Sequence, residues 1–186
     1  MTQSRAAHAD RFDLAGALLA AAEAVPDAGR GLPDCVFQFV LKMTPMINVD
    51  LLIRDESGRA LLAWRDDAYG CGWHVPGSIV RVNEPIAARI AATARAEIGA
   101  LVQAEPAPGK ITEFFCPRGH FISLLYRCRL MSALSGSPQL WTSGKPQHGM
   151  IAWIDGVPDA LYPAHGAYAE ILGKPQRSQF LPPSVV

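Results

Sequence analysis

The chain has 186 residues, of which 49% are hydrophobic, and its 17 Lys and Arg residues balance 17 Asp and Glu residues. This length supports one domain with a well-buried core. The balanced charge excludes a basic surface that would gather nucleic acid, so we expect no nucleic-acid partner. The four cysteines form no CxxC pair and no Cys/His run, which argues against structural zinc and for unpaired thiols in a reducing, cytoplasmic compartment.

The stretch RFDLAGALLAAAEAV is rich in Ala and Leu near helical spacing and predicts an added N-terminal helix. It contains Glu23 and is too short to span a bilayer, so we expect no membrane partner. Two positions stay open for the helix: it packs on the domain itself, or on a second copy of the chain, which would make a homodimer. PDAGRGLP breaks the pattern and places a boundary near residue 31. A second helix should begin at Pro33, end before Thr44 and present an apolar face of Val36, Phe37, Val40 and Leu41.

The stretch INVDLLIRDESGRALLAWR predicts a β-hairpin that turns at Asp55 to Gly58. Period-2 alternation places Asn48 and Asp50 on the same face of its first strand. Buried polar groups need partners. Two interpretations therefore remain open: the face is a sheet edge wetted by solvent, or Asp50 lines a ligand pocket.

Later segments predict short strands near 100–105 and 110–116, a half-buried strand FISLLYRCRL, a polar loop at 132–148 and a strand MIAWI. AHGAYAEIL predicts a closing helix whose inward residues are Ala167, Ile171 and Leu172. Strands with helices laid on them predict an α+β fold in which a mixed sheet lies between helices in α/β/α layers. The proline-rich tail has no periodicity.

The stretch GWHVPGSIVRVNEPIAARIAATARAEIG reads as a strand, a glycine turn and a helix. Gly77 lets the backbone approach a ligand closely because it has no Cβ. Asn83 can cap a helix that begins near residue 84, Pro85 suits its first turn, and Gly99 is its stop signal.

This helix carries a carboxylate near each end. Glu84 at its start is favoured by the helix dipole. Glu97 falls near the edge of the stripe that packs inward, where a carboxylate is costly unless it is paired or bound to a cation. Each residue taken alone is more typical of an ordinary helix residue without a role in a site, so the informative feature is the spacing of the two carboxylates after a glycine turn.

The stretch resembles the box of the Nudix hydrolase family, G-x5-E-x7-R-E-U-x-E-E-x-G-U, in which U is a bulky apolar residue. Glu84, Glu97 and Gly99 match, and Ser78 replaces the first glycine, directly after Gly77. The remaining departures are small side chains at Ala92, Thr93, Ala96 and Ala100. Other segments are similar, in order and separation, to the GDP-mannose mannosyl hydrolase branch of the family: TPMINVDLLIRDESGRALLAWR, GWHVPG, AEIG, GHFISLLYRCRL and QHGMIAW.

The resemblance implies a Nudix domain over residues 32–174, an N-terminal helical extension at 1–31 and a proline-rich tail at 175–186. It implies hydrolysis of a nucleoside diphosphate linked to another moiety, a nucleotide sugar such as GDP-mannose, with Mg²⁺ (or Mn²⁺) as cofactor. The partner is then a small-molecule nucleotide, attacked by water at the anomeric carbon of its sugar. A helix with one carboxylate at its C-terminal end favours one metal ion over two.

Residue by residue, the resemblance carries the metal role to Gly77, Glu97 and Gln147, and the general base to His148. The same resemblance implies that Arg65 is a catalytic cation that faces the phosphate groups, and that Asp50 contacts the sugar. A histidine in such a loop is equally typical of a solvated residue.

Two departures concern the substrate. The branch has an arginine where this chain has Ile79, and a tyrosine where it has Phe121. Arg81 or Arg118 is a candidate replacement for the missing phosphate-binding arginine. The alternatives are phosphorus attack on another nucleoside diphosphate derivative, and a nucleotide-sugar-binding module without catalysis.

Overall fold

The computed structural model describes residues 13–173. The helices in this range are α1 (Leu14–Glu23), α2 (Asp34–Met43), α3 (Ile86–Ile98) and α4 (Ala169–Leu172), with 3₁₀ segments at Ala28–Arg30 and Pro163–Tyr168. The strands are β1 (Met46–Ile53), β2 (Ala60–Asp67), β3 (Gly70–His74), β4 (Gly77–Ile79), β5 (Val102–Ala104), β6 (Lys110–Cys116), β7 (Gly119–Leu130) and β8 (Ile151–Ile154). The predicted tail, 175–186, lies outside the described residues, and the proposed three-part division of the chain stays a prediction.

The strands form two sheets. The larger has the order β4-β1-β7-β5, with β6 also paired to β7, and the smaller has the order β3-β2-β8. β1 and β7 are parallel, whereas the other pairs of named strands are antiparallel. The predicted α+β class is confirmed, and the strands that were predicted as one mixed sheet are divided between two.

The predicted hairpin is wrong in its pairing. The turn is present, since Gly58 donates its N–H to the Asp55 carbonyl at 3.0 Å. However, β1 and β2 belong to different sheets, and among residues 13–173 the only β-bridge between them joins Arg54, directly after β1, to Ala60. Successive residues are buried in both strands, over 49–53 in β1 and 60–64 in β2, so each strand is covered on two sides when the chain crosses from one sheet to the other.

Helices cover the sheets from two sides. α3 packs Ile90, Ala94 and Ile98 into one core cluster with residues of β1 and β2. Tyr168 and Leu172 pack into a second cluster with other residues of the same strands. The α/β/α layering is therefore confirmed. The inward position predicted for Ala167 is wrong, because Ala167 is exposed and the adjacent Tyr168 is fully buried.

The start of α3 differs from the prediction. Pro85 is the residue that precedes the helix, it makes no side-chain cap, and Asn83 adopts φ +58° in the turn before it. Glu84 instead accepts the Arg81 N–H at 3.0 Å and pairs with the Arg89 guanidinium at 2.7 Å. The predicted stop is confirmed, since Gly99 has the left-handed φ of +63°.

The strand predicted as half-buried is β7, and it is buried on both faces. Phe121, Ser123 and Leu125 are buried on one face, and Tyr126 and Cys128 on the other. This follows from its central position, because β7 pairs with β1 along one edge and with β5 and β6 along the other.

The two N-terminal helices are confirmed where they are described. α2 has the predicted bounds and buries Leu41, whereas α1 buries no residue and exposes Leu14, Leu18 and Leu19. Among residues 13–173, no helix combines the length and the apolar character needed to cross a membrane.

Candidate functional site

The C-terminal end of α3 lies against the glycine turn. Gly99 ends the helix, and Glu97, two residues earlier, turns its carboxylate toward the start of β4. Gly77 donates its backbone N–H to Glu97 Oε2 at 3.2 Å. The glycine turn and the carboxylate at the end of the helix, which are twenty residues apart in the sequence, are therefore in direct contact.

Gly77 also touches a second carboxylate. A Cβ at this position would lie 1.8 Å from Asp50 Oδ1 and 2.8 Å from the Val49 carbonyl oxygen. No side chain fits there. The close approach of Asp50 is thus the physical reason that the turn contains glycine.

Asp50 is 2% exposed and belongs to an internal strand between β4 and β7, so the solvent-wetted edge interpretation is wrong. Its Oδ2 accepts hydrogen bonds from the hydroxyls of Ser123 and Tyr168, the latter at 2.6 Å. Burial raises the pKa of Asp50 from 3.8 to about 6, the two hydroxyl donors oppose this, and the charge of Glu97 adds to it.

His74 and Arg65 complete the surroundings of Glu97. His74 Nε2 lies 3.2 Å from Glu97 Oε2 and 3.3 Å from an Arg65 guanidinium nitrogen. Arg65 is also 3.9 Å from Glu97 Oε1. His74 is 4% exposed, and its Nδ1 is buried without a hydrogen-bond partner. The sequence analysis missed His74, whose only sequence signal is its position three residues before the glycine turn.

These groups face one cavity of about 240 Å³, the polar cavity, which is lined by Asp50, Arg65, His74, Gly77, Glu97, Arg118 and five further residues including Ile79 and His165. It combines two carboxylates with two guanidinium groups. Such a mixture suits a ligand that brings both phosphate charge and a cation.

His148 lies on an adjoining cavity of about 370 Å³, the outer cavity, which also reaches Arg65, His74 and Glu97. His148 Nδ1 is 3.1 Å from both the backbone nitrogen and the carbonyl oxygen of Asp66. The main chain of β2 therefore fixes the ring, although the residue is exposed. His148 and Glu97 therefore line the same cavity.

A third cavity, of about 220 Å³, is lined by five Phe and Tyr side chains, including Phe114, Phe121 and Tyr162, together with polar and small residues. We call it the aromatic cavity. It shares Asn48, Arg65, Arg118 and His165 with the polar cavity. The Arg118 guanidinium lies 5.5 Å from the centre of the Phe121 ring and 5.8 Å from that of Phe37, so the rings hold it in place by cation–π contact.

His165, for which the sequence has no signal, lies where the polar and aromatic cavities meet. The Val75 N–H donates to its Nδ1 at 3.1 Å, so the neutral ring carries its proton on Nε2. Burial lowers the pKa of His165 well below 6.5, and the neighbouring His74 and Arg65 add to the effect. His165 is therefore a neutral imidazole at the edge of the site.

Two predicted site residues lie elsewhere. The Arg81 guanidinium is 3.4 Å from the Gly29 carbonyl oxygen and lines none of the three cavities. Gln147 is exposed, outside all three, and its N–H points to Met150 Sδ at 3.4 Å. The roles assigned to these two residues stay predictions.

No family model matches the sequence. A curated relative, the low-salt glycan biosynthesis protein Agl8 of Haloferax volcanii, is 33% identical over 85 residues, which cover 45% of this chain and 54% of that protein. The chain thus aligns with about half of the length of the curated relative.

Two solved structures are also similar. A MutT Nudix hydrolase from Burkholderia pseudomallei is 20% identical with a TM-score of 0.49, covering 68% of this chain and 97% of that chain. An ADP-ribose pyrophosphatase from Streptococcus suis is 17% identical with a TM-score of 0.48, covering 70% and 90%.

The donor set fits a cation that takes few protein ligands. Asp50 and Glu97 both face the polar cavity, but within residues 13–173 no group of three or more His, Cys, Asp or Glu side chains is placed to hold a metal. Mg²⁺ keeps several waters and commonly takes one or two carboxylates together with substrate phosphates. The residues present therefore fit Mg²⁺ bound with its substrate better than a metal held by protein alone.

Proposed function

We propose that the chain is a Nudix hydrolase that uses Mg²⁺ (or Mn²⁺) to hydrolyse a nucleoside diphosphate linked to another moiety, and that its substrate is a nucleotide sugar such as GDP-mannose. One observation carries the proposal. The carboxylate of Glu97, at the end of α3, accepts a hydrogen bond from the Gly77 N–H. It lines the same cavity as Arg65 and Arg118.

The guanidinium groups bind the diphosphate. Arg65 and Arg118 line the polar cavity, and both also line the aromatic cavity. Guanidinium groups match phosphate oxygens in charge and geometry. The flat apolar walls beside them suit a nucleobase. Arg118 also compensates for Ile79, since both line the polar cavity, whereas Arg81 faces Gly29.

Glu97 and Gly77 hold the metal in this proposal, with Asp50 close by. When bound there, Mg²⁺ would neutralise charge on the diphosphate that leaves. Asp50, beside the Gly77 turn, contacts the sugar, and its hydrogen bonds from Ser123 and Tyr168 keep its orientation fixed.

His148 is the base. In the tautomer whose Nδ1–H donates to the Asp66 carbonyl oxygen, Nε2 keeps its lone pair and can accept a proton from water. The water oxygen forms a bond to the anomeric carbon, the bond from that carbon to the diphosphate oxygen breaks, and the electron pair leaves with the nucleoside diphosphate. The products are the free sugar and the nucleoside diphosphate.

Two observations support a sugar-bearing substrate. The segments that resemble the GDP-mannose branch include β1 and β2, which supply Asp50 and Arg65 to the polar cavity, and the loop that carries His148. In addition, the curated relative from Haloferax volcanii is named for glycan biosynthesis.

The test is incubation with Mg²⁺ and a panel of nucleotide sugars in ¹⁸O-labelled water. We expect the label in the released sugar. Label in the phosphate would replace the proposal with phosphorus attack by a pyrophosphohydrolase.

A binding module without catalysis is the second candidate. Ala96 lines the outer cavity beside Glu97, at a box position where the family carries a glutamate. In the same panel, saturable binding without any turnover would establish this candidate and refute hydrolysis.

A further inference from the structure

Four residues line both the polar cavity and the aromatic cavity, and two of them are uncharged. Arg65 and Arg118 supply guanidinium groups, whereas Asn48 and His165 supply an amide and a neutral imidazole. We call these four residues the junction. A ligand that extends from one cavity into the other passes the junction, so its side chains contact the part of the ligand that joins the two ends.

Asn48 brings an unsatisfied amide to the junction. It lies on β1 two residues before Asp50, so the two side chains share one face of the strand. The residue is half-buried, and among residues 13–173 its buried Oδ1 has no hydrogen-bond partner. A buried amide oxygen without a donor costs free energy. The terminal torsion of an asparagine is soft, so a small rotation turns this oxygen toward a ligand that brings a donor.

His165 supplies a donor to the same junction. Its Nδ1 accepts the Val75 N–H at 3.1 Å, which leaves the proton of the neutral ring on Nε2. The Phe114 ring stacks on the imidazole at 6.0 Å between centres and 16° between planes, and Tyr168 packs edge-on at 5.3 Å. The backbone and these rings therefore fix the direction of the Nε2–H. The side chain is buried, and it lines both cavities.

The chemistry of the two cavities indicates which part of a nucleotide lies at the junction. In the function proposed above, the aromatic cavity holds the base and the polar cavity holds the diphosphate. Ribose joins these two parts in every nucleoside diphosphate. Its hydroxyl groups both donate and accept hydrogen bonds, which matches an amide oxygen and an imidazole N–H. The guanidinium groups of Arg65 and Arg118 have no acceptor atom and match the phosphates instead.

We propose that Asn48 and His165 recognise the ribose, and that the site therefore selects ribonucleotides over 2′-deoxy and 3′-deoxy nucleotides. The proposal rests on the proposed function, since it takes the base and the diphosphate to occupy the two cavities. One ribose hydroxyl donates to Asn48 Oδ1, and the neighbouring hydroxyl accepts from His165 Nε2–H. A deoxy analogue leaves one of these two groups without a partner, which is the condition under which a site rejects a substrate that lacks a hydroxyl.

Equilibrium binding to the wild-type protein tests the proposal without requiring turnover. Isothermal titration calorimetry with ADP, GDP, CDP and UDP in Mg²⁺ first identifies the base that binds most tightly. The 2′-deoxy and 3′-deoxy forms of that nucleotide are then compared with the ribonucleotide. We expect each deoxy form to bind at least about tenfold more weakly. Equal affinities for the three forms would overturn the proposal.

Two substitutions assign the two hydroxyls. Asn48→Ala removes the amide, so it should erase the preference for one hydroxyl and retain the preference for the other. His165→Asn should erase the complementary preference, because asparagine can still accept the Val75 N–H but has no donor at the position of Nε2. Ile47→Ala is the matched control, since Ile47 is the exposed neighbour of Asn48 on β1, lies outside both cavities and should leave both preferences unchanged.

Two results for Asn48→Ala would refute the proposal. If the variant weakens all three forms by the same factor, Asn48 does not contact the ribose. If it changes the order of affinity among the four bases and retains both hydroxyl preferences, Asn48 contacts the base instead.

The binding data also separate this proposal from the proposed function. Discrimination among the three forms, without turnover of any nucleotide sugar, would support ribose recognition and refute hydrolysis. Turnover of a nucleotide sugar together with equal binding of the three forms would support hydrolysis and refute ribose recognition.

Discussion

Glu97 Oε2 and the backbone nitrogen of Gly77 lie 3.2 Å apart, so the end of α3 and the start of β4 form one unit. His74 approaches the same oxygen at 3.2 Å. Three elements thus converge on a single carboxylate. A carboxylate held by fixed donors stays in position for a cation or a substrate at little entropic cost.

Glu97→Gln tests the role of this carboxylate. The amide oxygen can still accept the Gly77 N–H, so the fold should be retained while the negative charge is lost. We expect metal-dependent turnover to fall about 10²-fold or more, measured over a Mg²⁺ titration. The matched control is Glu113→Gln, an exposed glutamate paired with His120 outside the three cavities. Normal turnover in Glu97→Gln would remove this residue from the site.

His148→Ala tests the base. Loss of a general base should lower kcat about 10²-fold or more, because no other group then takes the proton from the attacking water. His120→Ala is the control, because His120 Nε2 lies 2.9 Å from Glu113 and lines none of the three cavities. A wild-type rate across the whole pH range would eliminate His148 as the base.

Gly77→Ala tests the close approach of Asp50. The new Cβ would lie 1.8 Å from Asp50 Oδ1, so the turn must shift, and we expect a loss of about 3 kcal/mol in the free energy of unfolding. Denaturant titration measures it. Gly166→Ala has no heavy atom within 4 Å of its Cβ and should change stability by less than about 0.5 kcal/mol. Equal stability of the two variants would contradict the contact.

Asp50→Asn tests the buried charge. The pKa of Asp50 is raised from 3.8 to about 6 in the folded state, so the folded protein binds the proton more tightly than the unfolded chain does. Its contribution to stability is therefore present below about pH 4 and is lost as the pH rises through about 6, by an amount of about 3 kcal/mol.

The asparagine variant removes this pH dependence, while its amide oxygen still accepts from Ser123 and Tyr168. We expect wild type to lose stability between pH 4 and about 7 in EDTA, and the variant to lose less. Parallel curves for the two proteins would show that Asp50 does not titrate in this range.

Local patterns predicted several parts of the site. A helix with a glycine stop places Glu97 at the end of α3, and the left-handed conformation of Gly99 confirms this local signal. The absence of a Cβ marked Gly77 as a point of close approach, although the sequence did not show that the group approaching it is Asp50.

Other parts depend on residues far apart in the chain. Tyr168, which donates to Asp50, follows it by 118 residues, and His165 reaches Val75 across 90 residues. The separation of β1 and β2 into two sheets has the same origin. A turn between two apolar strands suggests pairing, but competition among all the strands decides which partner each one takes.

The sequence by itself determined the strand-turn-helix unit and its terminal carboxylate, because periodicity, a missing Cβ and a glycine helix stop act over a few neighbouring residues. Only the tertiary structure decided what surrounds that carboxylate. It brought in His74, Arg65 and Arg118 and enclosed Asp50, because cavities form where layers meet, and that meeting is set by packing between distant segments.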